Sequence, residues 1–262
     1  MLVATAAAGC GGTSSAAPPT TTTQLRQFRV VFPEGFTRAQ MAARVGAVAN
    51  IAKHESHRKV RLSGEAYAAA TAKPRRFTGF GREKLPYQGF LFPDTYDFDR
   101  KSTAADLVGD QLAEFTSMFG SLNLSYARSK NLTPYDVLTI ASMVEGEAQV
   151  PSERPLIAAV IYNRLRDHMP LGIDATLRYG LHIAPTQSLT QSELADPTPY
   201  NTRVHLGLPP TPINNPGLAS LEAAAHPAHV DYLYFVRKPD HRHHYFTANY
   251  QDFLRHEAEY GY

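Results

Sequence analysis

Residues 133–180 constrain the fold more than any other stretch, because they read as two helices meeting at a joint that carries Glu145 and Glu147. Thr133 is placed to cap the first helix, with Pro134 in its first turn and Asp136 at the third helical position. Val137, Leu138, Ala141 and Val144 recur at three- and four-residue spacing, which predicts one buried face with Ser142 and Glu145 off that stripe. Gly146 and then Pro151 predict that this helix finishes near Glu147. A second helix is expected from about Ser152, burying Ile157, Val160, Ile161 and Leu165. Asn163 lies beside Val160 on that inward side, so it needs a hydrogen-bond partner. Carboxylates at a helix end are ordinarily solvated. Here Gly146 frees the backbone between them, and a large aromatic-rich segment follows the joint.

Composition removes several alternatives. At 262 residues the chain can build a substantial core. A net charge of +2 without a dense basic stripe does not point to nucleic acid. Cys10 is the only cysteine, which excludes a disulfide framework and a thiolate metal site. The histidines include His241, His243 and His244, show no H-E-x-x-H spacing, and are expected at the surface. No dinucleotide, phosphate-loop or nucleophile-elbow motif is present, and no cofactor or metal is implied. Tryptophan is absent, so any grip on sugar rings falls to tyrosine and phenylalanine.

In chain order, residues 1–12 are small and apolar around Cys10, like the end of a lipoprotein signal, and residues 13–24 form a Ser/Thr/Pro/Ala linker. A strand is expected over 27–32, a turn at Pro33-Glu34-Gly35, a helix opened by a Thr37/Gln40 capping box, and a short helix capped by Ser63. Residues 86–98 are dense in aromatics, which fill a core or line a cleft; the core is favoured. An amphipathic helix follows over 103–120. Residues 171–180 read as strand or turn, with Asp174 and Thr176 exposed. Thr190 and Glu193 box a single helical turn. Residues 198–216 form a long loop whose prolines and Tyr200 suggest a rigid wall. Asn215 and Pro216 are expected to open a helix to about Ala225, followed by a hairpin of strands at 231–236 and 244–247 and a terminal helix. The fold class is α+β.

Six ordered motifs then carry a resemblance: GFLFPDTY, SMVEGEA, ERPLIAAVIYNRL, MPLGIDAT, YNTRVHLGLPPTPINNPG and HPAHVDYLYFV. In this order they resemble the endolytic murein transglycosylase family, also called MltG or YceG-like, over about residues 86–250. The resemblance implies a partial LysM-like α+β unit at 25–85 and a YceG-like catalytic domain at 86–262, following the 1–24 signal and linker segment. It implies peptidoglycan glycan strands as substrate, cleaved without water between N-acetylmuramic acid and N-acetylglucosamine to leave a 1,6-anhydromuramic end.

Glu147 matches the family's catalytic acid and base, expected to have a pKa raised by burial. Glu145 is its acidic neighbour, and Asn163, Asp174, Thr176, Tyr200, Asn201 and Thr202 are implied saccharide contacts. The resemblance also implies a bacterial cell-membrane location facing outwards, with wall synthases as possible partners; the anchor expected from residues 1–12 is a lipidated Cys10 or a truncated signal anchor. The sequence departs from the family pattern at Gln88, usually Glu, and at Gly172, Ile173 and Ala175, usually Gln, Thr and Pro. Two other readings are a wall-binding protein that does not cut, and a hydrolytic muramidase using Glu145 or Asp174 as second carboxylate.

Overall fold

The computed structural model describes residues 27–261, so the segment around Cys10 and the Ser/Thr/Pro linker lie outside the described residues. The fold is α+β. Strand β1 (Phe28–Val31) pairs antiparallel with β2 (Thr95–Phe98), Phe28 opposite Phe98 and Val31 opposite Thr95. The aromatic segment therefore ends as a strand, a pairing with no local signal in the sequence. Between these strands lie α1 (Arg38–Ser56), opened by the Thr37/Gln40 capping box, and α2 (Gly64–Ala70), capped by Ser63. These helices touch backbone to backbone: a Cβ on Gly64 would sit 2.7 Å from the Ala42 carbonyl oxygen, so glycine is required there.

Helix α3 (Ala104–Gly120) and the short α4 (Ser125–Ser129) lead into α5 (Pro134–Glu147). The Thr133/Asp136 capping box closes the start of α5, and Ala148 leaves helical geometry directly after Glu147. The expectation of a single buried face on α5 is corrected. Every residue from Val137 to Val144 is buried, Ser142 included, so α5 is the central rod of the molecule. Each fully buried Val, Leu or Ile there contributes about 1.5–3 kcal/mol relative to exposure. The surrounding chain contains a 3₁₀ turn (Pro151–Glu153), α6 (Arg154–Arg166) and, after the long loop, α9 (Leu218–Ala225). Ser142 Oγ accepts the Ile213 N–H at 3.0 Å, and Asn214 donates to the Ser142 carbonyl at 2.8 Å, pinning the loop to the rod.

Two further expectations are corrected. Residues 171–180 are not strand or turn: Asp174–Leu181 is a helix, α7. Its start is fixed by Thr176 Oγ1, which donates to the Ile173 carbonyl at 2.7 Å, and its inner side by buried Leu177. Asn215 does not cap the next helix, which begins at Leu218 behind Gly217. Its side chain instead ties together residues 36, 89 and 91. The single helical turn α8 (Gln191–Leu194) has its expected capping box.

The aromatics of 86–98 do enter the core. Phe90 stacks on Phe77 at 3.7 Å between ring centroids and meets Phe115 edge-on at 5.1 Å. The chain closes with the hairpin β3 (Tyr234–Arg237) and β4 (His244–Thr247) and with α10 (Tyr250–Tyr260), which packs on that hairpin. Among the described residues no helix is long and apolar enough to cross a membrane.

Candidate active site

The end of α5 opens into a cleft of about 1260 Å³, walled by residues 171–175, α7, the hairpin, α10 and the loop between β1 and α1. Glu147 lies at its floor and is 8% exposed. Burial, reinforced by the nearby charge of Asp174, pushes its pKa above the ordinary carboxylate value. The Ala175 N–H, which donates to Glu147 Oε1 at 3.3 Å, opposes that rise, as do the charges of Arg237 and Arg178. The family's usual proline in place of Ala175 would have no N–H to offer.

Glu145 also borders the cleft, but its carboxylate is engaged by the protein. Its Oε2 accepts the Ser220 hydroxyl at 2.7 Å and the Gly217 N–H at 3.2 Å, while Arg154 stands 3.7 Å from Oε1. It thereby fastens the end of α5 to the start of α9. Gly146 between the two acids is closely packed: a Cβ there would meet the Ala175 side chain at 3.0 Å. Asp174, the first residue of α7, lies in the cleft wall and is ion-paired with Arg203.

The remaining residues singled out from the motifs stand behind the walls rather than along them. Asn163 is buried and donates to the Val230 and Tyr232 carbonyls at 2.9 Å each, joining α6 to the approach of the hairpin. Thr176 is fully buried, contrary to the expected exposure, and shares a 3.0 Å hydrogen bond with Thr202. Thr202 Oγ1 also accepts the Ile173 N–H at 3.0 Å. Asn201 donates to the Leu194 and Asp196 carbonyls at 3.0 and 2.8 Å. Tyr200 bonds Thr211 at 2.9 Å and packs edge-on against Tyr179, which does line the cleft. Thr176 and Thr202 together hold segment 171–175 in the position from which Ala175 reaches Glu147. Gln88, at another departure from the family pattern, accepts the Arg38 N–H at 2.9 Å and leaves its Nε2 without a partner among the described residues.

Sequence reasoning missed one buried pair. His244, expected at the surface, is 5% exposed, and its backbone N–H and Nδ1 meet the two carboxylate oxygens of Glu153 at 2.9 and 2.7 Å. Ninety-one residues separate the partners, so no local pattern could announce them. Burial lowers the His244 pKa against the opposing pull of Glu153. Because the unfolded chain then takes up the proton first, this group contributes stability that is lost as pH falls through the histidine range. Glu153→Ala leaves the His244 amide and ring unpaired in a closed site. The expected cost is about 3 kcal/mol, read as a lowered chemical-denaturation midpoint with unchanged slope.

The comparisons with known proteins agree on one family. The YceG-like family model matches residues 14–259. The endolytic murein transglycosylase of Bacillus subtilis (strain 168) is 34% identical over 219 residues, covering 80% of this chain and 59% of that protein. The protein of that name from Streptococcus pneumoniae (strain R6) is 33% identical over 255 residues, covering 88% of this chain and 44% of its own length. This chain thus spans about half the length of the curated relatives it matches. The 2.6 Å crystal structure of a YceG-like protein from Listeria monocytogenes superposes with a TM-score of 0.66 at 31% identity, covering 87% of this chain and 75% of that one. With sequence motifs, family model and a solved fold in agreement over most of its residues, the chain belongs to the YceG-like family.

Proposed function

We propose that this chain cuts murein glycan strands internally, between N-acetylmuramic acid and N-acetylglucosamine, by transglycosylation without water. The observation that carries the reading is Glu147: a carboxyl group buried at the floor of an open cleft, with its pKa raised. The cleft exceeds the about 300–1,000 Å³ usual for small-molecule pockets, which suits a polymer. Protonated Glu147 gives its proton to the glycosidic oxygen as the bond to C1 breaks. The C6 hydroxyl of the same muramic residue then attacks C1, and its proton returns to the Glu147 carboxylate. One group serves both steps, and the product ends in a 1,6-anhydro ring.

Hydrolysis would need a second carboxylate placed to activate water or to act as nucleophile. Both neighbours are already engaged, Glu145 by Ser220 and the Gly217 N–H, Asp174 by Arg203. This favours the self-contained sugar nucleophile. Murein lies outside the cytoplasmic membrane, so the reading also places the chain on the extracytoplasmic face, with the segment around Cys10 as its anchor and wall synthases as the source of its strands.

Digestion of uncrosslinked glycan strands followed by mass spectrometry tests the proposal. The expected products are internal fragments with anhydro ends, one water lighter than reducing ends. Fragments with reducing ends would overturn it in favour of a muramidase. Tight strand binding with no cleavage would overturn it in favour of a wall-binding protein.

A further inference from the structure

Five arginines reach the cleft: Arg38, Arg164, Arg178, Arg203 and Arg237. Four have their guanidinium groups committed to the protein. Arg38 donates to the Ala68 carbonyl and the Thr71 hydroxyl, both at 3.3 Å. Arg164 donates to the carbonyls of Leu233, Pro170 and Leu171 at 2.6, 3.1 and 2.8 Å. Arg178 closes on Ala184 and Gln187, and Arg203 on Asp174. Of the five, only Arg237 has neither a hydrogen-bond acceptor nor an ion-pair partner for its side chain among the described residues.

Its backbone is nevertheless held firmly. Arg237 ends β3 opposite His244 of β4. The next turn closes through the Lys238 N–H to the His243 carbonyl at 2.8 Å. Glu153 clamps His244 to the 3₁₀ turn that follows Glu147 in the chain. The hairpin thus presents a partly buried cation from a fixed platform, close enough for its charge to act on Glu147. The other acids around it do not quench it. Asp174 is taken by Arg203, Asp240 by His243 and backbone amides, and Glu257 of α10 lines the cleft without pairing to Arg237.

A partly desolvated guanidinium without a partner is a strong receptor for a planar anion, because the charge-assisted fork gains from lowered screening. On the murein reading, on which this inference rests, the sugars themselves are neutral and the anionic groups of the strand are carboxylates carried by the muramic residue. We propose that Arg237 binds that substituent carboxylate, whether of the lactyl ether or of the attached peptide, and so selects muramic-containing strands over neutral N-acetylglucosamine polymers.

Calorimetric titration of Glu147→Gln and of Glu147→Gln combined with Arg237→Gln tests this, using three ligands of equal length. They are peptide-bearing strands, amidase-trimmed strands with free lactyl carboxylates, and an N-acetylglucosamine oligomer. Loss of Arg237 is expected to weaken binding of a carboxylate-bearing strand by about tenfold or more, and to do so less at high salt, while the neutral oligomer changes by less than about twofold. Whichever strand loses affinity identifies the source of the carboxylate. Arg237→Lys should restore part of the loss, since a point charge remains without the fork. Equal weakening for all three ligands, no weakening for any, or no strand binding at all would overturn the inference. Failure of the transglycosylase reading would look different: selective binding intact, with no anhydro ends from the unmutated protein.

Discussion

Glu147→Gln is expected to lower glycan cleavage by at least about 10²–10⁴-fold, the range that positioned acid–base groups supply, while making the fold more stable at neutral pH. The amide keeps the size of the side chain and an oxygen for the Ala175 N–H, so the cleft stays in place. What disappears is the proton. The stability gain follows from the direction of the pKa shift. With the folded pKa above the unfolded one, the native state binds the extra proton between the two values, so stability falls as pH rises through that window. Above it the protein carries the full cost of a buried carboxylate, and glutamine removes that cost. Thermal melts of both proteins across the carboxylate range should coincide in acid and separate towards neutrality, with the variant melting higher. A variant that cleaves at the unmutated rate would end the catalytic assignment.

The largest expected loss of stability is at Asn215. This fully buried side chain accepts the Gly89 and Leu91 amides at 2.9 and 3.0 Å and donates to the Phe36 carbonyl at 2.8 Å. The Asn215 backbone adds reciprocal bonds, accepting from Gly35 and donating to Phe36, both at 3.0 Å. Asn215→Ala strands the Gly89 and Leu91 amides where water does not reach, at about 1–3 kcal/mol each, so about 4 kcal/mol in total is expected. For a chain of this size that is a fall in Tm of about 8–16 °C. Gly35 lines the cleft, so the same variant should lose activity on warming before it unfolds globally. A fall of less than about 2 °C would show that these groups find other partners.

Asn215 also shows what the sequence could and could not convey. Asn-Pro-Gly ahead of an apolar run has the local form of a helix start, yet its amide serves backbone more than 120 residues away. Features set by neighbours in sequence were legible: the capping boxes at Thr37, Thr133 and Thr190, and the end of α5 at Glu147. Features set by distant packing were not. Helix α7 lies between Gly172 and His182, contains Gly180, and depends on Thr202 behind it. Ser142 looked peripheral because the apolar stripe of α5 is narrow, whereas the long loop covers its polar side. For the site, the motifs identified constrained positions without saying why they are constrained. Glu147 faces the cleft, but Asn163, Asn201 and Thr202 hold its walls from behind, and Arg237 carries no motif at all.

A buried carboxyl group that holds its proton to higher pH than a solvated glutamate does is the claim on which the mechanism depends. Carbon-13 NMR titration of the glutamate side-chain carboxyls, compared between the unmutated protein and Glu147→Gln, tests it directly. One resonance, missing from the variant, should titrate clearly above the ordinary glutamate value, and activity should fall as pH rises through that same midpoint. A Glu147 resonance titrating with the solvated glutamates, or activity indifferent to its midpoint, would contradict the account.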